Sequence, residues 1–355
     1  MDKIKKITKM KLFLPIFSMI LVMMINVVYD IATGNAPLSF FSISINNGIL
    51  YGRLIDVLNR GSEVAILAIG MTLVVSASAG TDISVGSVMS LSGGLCCMLL
   101  AGYGVTNVDQ YNVPLWVGML AGVAIACVCG LFNGFLVAYM NIQPMVATLI
   151  LWSAGRAIGL LLCNSNIVYV RVPSFQFFGA YCGIVPTPII IAAVCVAIAS
   201  IVLKTTALGT YIQSVGINKK ASRISGFNSA KIILLCYVIC GLCAGISGLV
   251  ATCRIYSADT NNIGLNMELD AILAVALGGN SLGGGKFNLA GSIIGAYTIQ
   301  AITTTLYALG VSSAQAPVFK AIVVILIVVI QSQPVKDYFK KLSSKKAAAK
   351  EAVQA

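Results

Sequence analysis

The sequence predicts an all-α, polytopic integral membrane protein with about ten transmembrane helices. Hydrophobic residues fill 58% of its 355 positions and charged residues only 10%, whereas soluble domains have roughly 45–50% and 25%. The mean hydropathy is +0.95, and no run of charges lies between Lys11 and Lys336. The apolar excess therefore extends along the whole chain and leaves no room for a soluble domain. Any work done in water falls to partner proteins.

The first span is predicted at residues 12–31, behind a lysine-rich start and without a small-residue cleavage site, so we interpret it as an uncleaved helix. A transmembrane helix needs about 20 apolar residues. The further candidate spans lie at residues 63–79, 86–103, 113–139, 145–163, 187–203, 232–253, 268–282, 288–309 and 317–330. The predicted organisation is a basic cytoplasmic N-terminus at 1–11, a single transmembrane domain at 12–331 and a basic cytoplasmic tail at 332–355.

The distribution of positive charge predicts the orientation. Lysine and arginine concentrate in cytoplasmic connections, and ten spans place both termini on the cytoplasmic side, where both are rich in lysine. The connection at 204–231 is also basic and contains no acidic residue, with Lys204, Lys219, Lys220, Arg223 and Lys231. The net charge of +12 is thus explained by orientation and contact with anionic lipid, and nucleic-acid binding is not required.

The histidine and cysteine content of the chain argues against a catalytic or metal-binding role. The chain has no histidine, which removes the usual general base and the commonest metal ligand. Most of the 11 cysteines fall within or at the ends of apolar segments, where a free thiol acts as a small hydrophobe. Cys182 and Cys253 lie nearest the outer water and could pair. We predict no metal site, no catalytic residue and no cofactor bound by this chain.

Two polar, glycine-rich stretches interrupt the apolar pattern. One spans residues 79–87 and contains Gly80, Asp82, Ser84 and Gly86; the other, at 278–286, begins with Gly278 and Gly279. Their flanks resemble each other, which suggests an internal repeat with broken helices in matching places, the best sequence pointer to a transport pathway. Two cytoplasmic hairpins that both need glycine turns explain the pattern equally well. We predict a structural or gating role for these six residues.

Asp82 precedes a new helical segment and is interpreted mainly as a helix cap, since a carboxylate favours the positive end of the helix dipole. A proton or cation site is the alternative. Gly285 and Lys286 do not complete a phosphate-binding loop, because Asn280 and Phe287 occupy positions where that motif needs Gly and Ser or Thr. The chain therefore has no nucleotide-hydrolysing motif of its own.

The cytoplasmic connection predicts a short amphipathic helix over residues 219–225, capped by Asn218 and closed by Gly226. Such a helix on a membrane scaffold is typical of a docking device. A solvated connector lying among lipid headgroups is the alternative interpretation. The docking candidates are Asn218, Lys219, Lys220, Ala221, Ser222, Arg223, Ser225 and Gly226.

Nearly the whole chain resembles the permeases of bacterial ABC importers for simple sugars, the ribose, xylose, arabinose and galactose class. Residues 80–87 (GTDISVGS) are similar to the family signature GGIDLSVGS, with Thr81 in place of Gly. Three further blocks match at 132–134, 148–159 and 268–279. Within the class, residues 55–60, 278–280 and 299–305 most resemble permeases of galactofuranose importers.

The resemblance implies a division of labour in the bacterial inner membrane. Two permease subunits, identical or siblings, form the pathway; a separate ABC ATPase uses ATP and docks on the cytoplasmic loops; and an extracytoplasmic binding protein delivers the sugar. Residues 218–226 would then form the coupling helix. This loop departs from the acidic-Ala-Ala opening of many ABC permeases.

A neutral sugar needs hydrogen-bonding groups along its passage, each weak enough to let it leave. The pathway candidates at membrane depth are Thr72, Ser76, Asn133, Thr148, Ser153, Arg156, Gln300 and Thr303. Most are also explained by hydrogen bonds between helices. Arg156 must face protein or water, because a charge at mid-membrane costs roughly 2.5–3.5 kcal/mol on insertion scales. It would bind sugar or, as the alternative, tie its helix to backbone carbonyls nearby.

Other function classes fit less well. An ion-coupled secondary transporter would need buried ionisable residues as its coupling site, and Asp82 and Arg156 are nearly alone at membrane depth. A channel or scaffold is a further alternative. A membrane enzyme is the poorest, because paired intramembrane carboxylates and histidine are missing.

Overall fold

The computed structural model describes residues 12–34, 39–46, 48–285 and 287–331. The N-terminal segment, Lys286 and the tail beyond residue 331 lie outside this description. The predictions for residues 1–11 and 332–355 therefore fall outside the described residues. The described residues form two compact units, one up to Ala301 and one from Ile302 onward. This boundary falls inside a helix, and the single transmembrane domain stays a prediction.

Helices dominate the structure. In chain order they are α1 Phe13–Ala32, α2 Arg53–Ser78, α3 Val85–Ala101, α4 Leu115–Ala138, α5 Pro144–Leu162, α6 Pro173–Gln176, α7 Thr187–Thr205, α8 Leu208–Ile217, α9 Lys219–Ile224, α10 Ser229–Ile255, α11 Met267–Leu277, α12 Leu289–Ala308 and α13 Ala316–Gln331. A short 3₁₀ turn spans Ser39–Phe41. The predicted all-α membrane fold is confirmed.

Each of the ten predicted spans contains one of these helices. Among the described residues, seven helices are long and apolar enough to cross a membrane: α1, α2, α4, α5, α7, α10 and α12. α3, with 17 residues, is a shorter apolar helix, and α11 has 11 residues. The predicted span at 268–282 is therefore not one continuous helix, because α11 ends at Leu277 where Gly278 and Gly279 follow, the latter with φ +79°.

The start of the second span also differs from the prediction. α2 begins at Arg53 and not at residue 63, so part of the predicted outer connection is helical. Asp56 in the first turn favours this earlier start through the helix dipole. The helix then runs for 26 residues to Ser78.

The core of the first unit is built around α2. Its apolar window is completely buried, and it contacts α10, α7, α11 and α8. α10 also packs along α4, where a Cβ on Gly241 would lie 3.0 Å from the Cα of Gly130. Glycines at this crossing allow the two backbones to touch.

The strands are short. β1 Ser44–Asn46 pairs antiparallel with β2 Ile49–Tyr51, and β5 Tyr181–Cys182 with β6 Val185–Pro186. A second sheet has the order β3 Asn107–Val108, β4 Val168–Val170 and β7 Ser257–Ala258, with β3 and β4 parallel and β4 and β7 antiparallel. These three strands come from three connections predicted on the outer side. Their pairing brings those connections together at one end of the helices.

All 11 cysteines are free thiols. Cys182 is exposed and Cys253 is buried. The pairing considered for these two residues is therefore not formed.

Candidate functional site

The first glycine-rich break joins α2 to α3 and is organised around a buried carboxylate. Asp82 is 2% exposed, and its Oδ1 accepts hydrogen bonds from the Ser84 amide at 2.9 Å and the Ser84 hydroxyl at 2.7 Å. Asn133 of α4 donates from Nδ2 to Ser84 Oγ at 2.8 Å. These donors favour a role at the start of α3 over a cation site, which would need oxygen acceptors around the ion.

The second break joins α11 to α12 and is held by two asparagines. Asn280 donates from Nδ2 to the Val275 carbonyl at 3.1 Å and to Ser292 Oγ at 2.8 Å, and its Oδ1 accepts from the Asn288 amide at 2.7 Å. Asn288 in turn caps α12, since its Oδ1 accepts from the Gly291 amide at 3.1 Å. Gly278 and Gly279 were the residues predicted to matter here, and the structural role of both asparagines was not predicted from the sequence.

Ser292 connects this break to α2. The hydroxyls of Thr72 and Ser292 lie 2.7 Å apart, and Thr72 also donates to the Ala68 carbonyl at 2.5 Å. Both side chains are buried. Thr72, a pathway candidate, thus forms part of the contact between α2 and α12.

The cytoplasmic end of α2 meets the second break and the end of α8. The Gly285 amide donates to the Ser76 carbonyl at 3.1 Å. A Cβ on Gly216 would overlap that same carbonyl and would lie 2.7 Å from the Gly285 amide nitrogen. We call these three residues, Ser76, Gly216 and Gly285, the junction. It leaves no space for a side chain at position 216.

The predicted coupling helix, residues 218–226, follows the junction directly. Asn218 Oδ1 accepts hydrogen bonds from the amides of Lys220 and Ala221, both at 3.0 Å, and so caps α9. Ser222 is buried and donates to the Asn218 carbonyl at 2.9 Å. Gly226 has φ +88° just beyond the helix, a conformation that glycine adopts at least cost. The predicted helix is present and is one residue shorter.

The opposite face of this segment is open. Lys219, Lys220, Arg223 and Ser225 are exposed, and Ile224 is 88% exposed. Beside it, Arg223 and Gly226 line a cavity of about 560 Å³ together with Tyr139 and Asn141 at the end of α4. The exposed face of α9 therefore presents one isoleucine among basic side chains.

The pathway candidates do not form one open cluster. Ser153 is exposed and Arg156 is partly exposed, whereas the other six are buried: Thr72, Ser76, Asn133, Thr148, Gln300 and Thr303. Thr148 Oγ1 donates to the Pro144 carbonyl at 3.0 Å and accepts from the Ile83 amide at 3.2 Å. Asn133 and Thr148 thus both lie at the first break. The role of these residues in a pathway stays a prediction.

Arg156 binds backbone carbonyls of the connection between α10 and α11. Its Nη1 donates to the carbonyls of Thr260 at 2.9 Å, Asn261 at 2.7 Å and Ile263 at 3.1 Å. This geometry corresponds to the alternative in which Arg156 ties its helix to nearby backbone. One turn earlier on α5, Trp152 donates from Nε1 to Glu268 Oε1 at 3.2 Å.

A second charged contact lies near the outer end of α2. Arg254 Nη2 is 3.0 Å from Glu63 Oε1 and 2.9 Å from the Asn59 carbonyl. The Ser247 hydroxyl donates to the Glu63 carbonyl at 3.1 Å. This ion pair joins α2 to α10 and was not identified from the sequence.

Comparison with known proteins gives a consistent result. The family model described as "Branched-chain amino acid transport system / permease component" matches residues 53–331. The chain is 42% identical over 295 residues to the galactofuranose transporter permease protein YtfT of Escherichia coli (strain K12), covering 83% of this chain and 84% of the relative. It is 36% identical to the fructose import permease protein FruF of Bifidobacterium longum, covering 85% and 83% of the two chains.

A ribose relative is more distant. The chain is 34% identical to the ribose import permease protein RbsC of Escherichia coli (strain K12), covering 81% of this chain and 88% of the relative. No solved structure matches the chain.

Proposed function

Since the chain belongs to the family of permease components of branched-chain amino acid transport systems, we propose that it is the membrane permease subunit of a bacterial ABC importer for a monosaccharide. The single observation that carries this proposal is the coverage of more than four fifths of this chain by permeases named for galactofuranose and fructose import. The chain is a multi-pass protein of the inner membrane and a transport subunit, not an enzyme.

Galactofuranose is the sugar we propose first. Support comes from the 42% identity to a galactofuranose permease, against 36% and 34% for a fructose and a ribose permease. Few residues of such a permease touch the sugar, so overall identity bears more directly on mechanism than on substrate. Direct competition between sugars is therefore required.

The proposed partners are an ABC ATPase on the cytoplasmic side, an extracytoplasmic sugar-binding protein, and a second permease subunit, either identical or a sibling. The exposed face of α9, with Arg223 and Ile224, would receive the ATPase. ATP is bound and hydrolysed by that partner and not by this chain. The outer connections would receive the binding protein.

The junction supports a path for mechanical coupling. Gly216 lies two residues before Asn218, the cap of α9, and it packs on the Ser76 carbonyl at the end of α2. Movement of α9 by a closing ATPase would push directly on α2 and on Gly285 in the second break. The permease would thereby be switched between inward-facing and outward-facing states, each ligand supplying only a bias on that two-state equilibrium.

The test is uptake of labelled sugar by proteoliposomes that contain this permease, any sibling permease, its ATPase and the binding protein. We expect ATP-dependent uptake that unlabelled galactofuranose inhibits more strongly than galactose, ribose or xylose. Stronger inhibition by another sugar would overturn the choice of galactofuranose and keep the importer. Failure to take up any monosaccharide with ATP inside would overturn the proposed function.

A further inference from the structure

The connection between α10 and α11 enters the level of the membrane-spanning helices. The Ser90 hydroxyl of α3 donates to the Thr260 carbonyl at 2.6 Å, and the Thr260 methyl group faces Gly159 of α5. Further along, Ile263 is bound by Arg156, and Glu268 is bound by Trp152. The chain thus descends beside α5, a membrane-spanning helix, from Gly159 past Arg156 to Trp152. Residues 259–266, which we call the descending segment, lie at membrane depth.

Irregular backbone at this depth is tolerated only where it is buried in protein or lines a water-filled cavity, because lipid cannot hydrogen-bond free amides and carbonyls. The descending segment has no helix or strand. Arg156 and Ser90 bind three of its carbonyls, those of Thr260, Asn261 and Ile263. These contacts support one side of the segment from within the protein.

Its other side carries exposed amide side chains. Asn261, Asn262 and Asn266 are exposed. Asn262 donates to Asp259 Oδ2 at 2.7 Å, whereas the structure gives the side-chain amides of Asn261 and Asn266 no hydrogen bond to any described residue. An amide left without a partner in hydrocarbon costs about 4–8 kcal/mol. Two such amides at membrane depth are therefore not expected to face lipid.

The neighbouring surface of α5 has the same character. Ser153 is exposed, and Trp152 is 42% exposed although its indole N–H is bound to Glu268. Polar groups with an aromatic ring beside them are the usual lining of a small-molecule site. The Arg156 contacts place the exposed part of α5 next to the exposed part of the descending segment.

We propose that Asn261 and Asn266 line the water-filled passage at membrane depth and bind the hydroxyl groups of the transported monosaccharide. This proposal rests on the proposed importer function and names the part of the chain that meets the sugar. Asparagine both donates and accepts hydrogen bonds, which suits a neutral, hydroxyl-rich ligand. Arg156 acts as a positioning residue, because its guanidinium donates hydrogen bonds to three backbone carbonyls of the segment and so holds it in place.

Water access can be measured without relying on transport. In the complete complex, Asn261→Cys in a Cys182→Ser background should react with a small membrane-impermeant thiol reagent, above the reaction of the background protein alone. The control is Val194→Cys on the apolar helix α7, where Val194 is 51% exposed; we expect this position to face apolar surroundings and not to react. Equal, background-level labelling at both positions, in a complex that still takes up sugar, would overturn the pathway assignment and leave the importer function standing.

Sugar contact is tested by kinetics. Asn266→Gly is compatible with the left-handed backbone that Asn266 adopts at φ +63° and removes the side chain with its amide. We expect this variant and Asn261→Leu each to raise KM for uptake about two- to tenfold, as for the loss of one hydrogen bond, with Asn261→Gln retaining more affinity than Asn261→Leu. Unchanged KM in both variants would overturn the sugar contact. Loss of uptake by the unmodified protein would instead point to failure of the proposed function.

Discussion

The Gly285 amide donates a 3.1 Å hydrogen bond to the Ser76 carbonyl, and Gly216 packs against that same carbonyl. Through these contacts the end of α2, the second glycine-rich break and the residues leading into α9 meet at one place. If α9 receives the ATPase as proposed, a force applied to it would reach α2, whose apolar window is completely buried, through these contacts. A single added methyl group at Gly216 would disturb them.

Gly216→Ala tests the junction. The added Cβ would overlap the Ser76 carbonyl, so α8 must move away from α2, and we expect ATP-dependent uptake to fall at least about tenfold, a change of about 1.4 kcal/mol, while ATP hydrolysis by the complex continues. The control is Ser214→Ala on the same helix, whose exposed hydroxyl bonds only the Thr210 carbonyl. Wild-type uptake in Gly216→Ala would show that the junction transmits nothing.

The proposed docking face of α9 is tested by placing acidic side chains on it. Arg223→Glu and Ile224→Asp place an acid on the exposed face of α9, away from its cap and its buried Ser222. We expect both variants to insert into the membrane normally and to lose co-purification with the ATPase, and with it uptake. Ser225→Ala, also exposed, should behave as wild type. Retention of the ATPase by both acidic variants would contradict the coupling-helix assignment, as would a bulky acid at Gly226 that leaves uptake intact.

Arg156 is expected to contribute to stability. Arg156→Met removes a donor from three carbonyls at membrane depth and leaves those of Asn261 and Ile263 without any, since the Thr260 carbonyl keeps the Ser90 hydroxyl. Each unsatisfied buried group costs about 1–3 kcal/mol. We expect about 3 kcal/mol of destabilisation in all, measured as a lower thermal midpoint of the purified permease in detergent. Arg171→Met, at an exposed arginine on the outer side, should leave the midpoint unchanged. Equal midpoints for the two variants would refute this role.

The ion pair between Glu63 and Arg254 should show strong coupling. The side chains are only 10% and 18% exposed, so removing one partner leaves a poorly solvated charge, at a cost of about 3 kcal/mol or more. We expect Glu63→Met and Arg254→Met each to lower the thermal midpoint, and the double variant to recover much of the loss. A double variant as unstable as the sum of the singles would show that the two residues act independently.

Much of the fold could be predicted from the sequence because apolar runs report membrane helices directly. All ten predicted spans contain a helix, and Asn218 and Gly226 correctly predicted the short helix α9 between them. Helix ends were predicted less well. α11 ends earlier than predicted because glycine breaks the helix while the hydropathy stays high. The early start of α2 was not predicted because Arg53, Asp56 and Arg60 give its first turns a polar composition.

The site was harder to predict, because the sequence does not show whether a polar residue at membrane depth faces water or another segment of the protein. Thr72, Asn133 and Thr148 are polar and intramembrane, and the structure uses them for contacts between segments. The descending segment was missed for the opposite reason. Its composition, Asp259-Thr260-Asn261-Asn262, is that of an outer loop, and its depth follows from its contacts with Arg156 and Ser90. A lone arginine inside a span was the available signal, since it requires several acceptors nearby.

The energy source of transport tests the central claim most directly. Sugar uptake should be measured in proteoliposomes of the complete complex, with ATP or ADP inside and with ionophores that abolish every ion gradient, for the wild type and for Asp82→Asn. We predict that wild-type uptake requires ATP and is unaffected by ionophores, and that Asp82→Asn keeps the same dependence, because Asp82 Oδ1 accepts hydrogen bonds from Ser84 that an asparagine oxygen can also accept. Uptake that follows an imposed ion gradient without ATP, and that is lost in Asp82→Asn, would contradict the account.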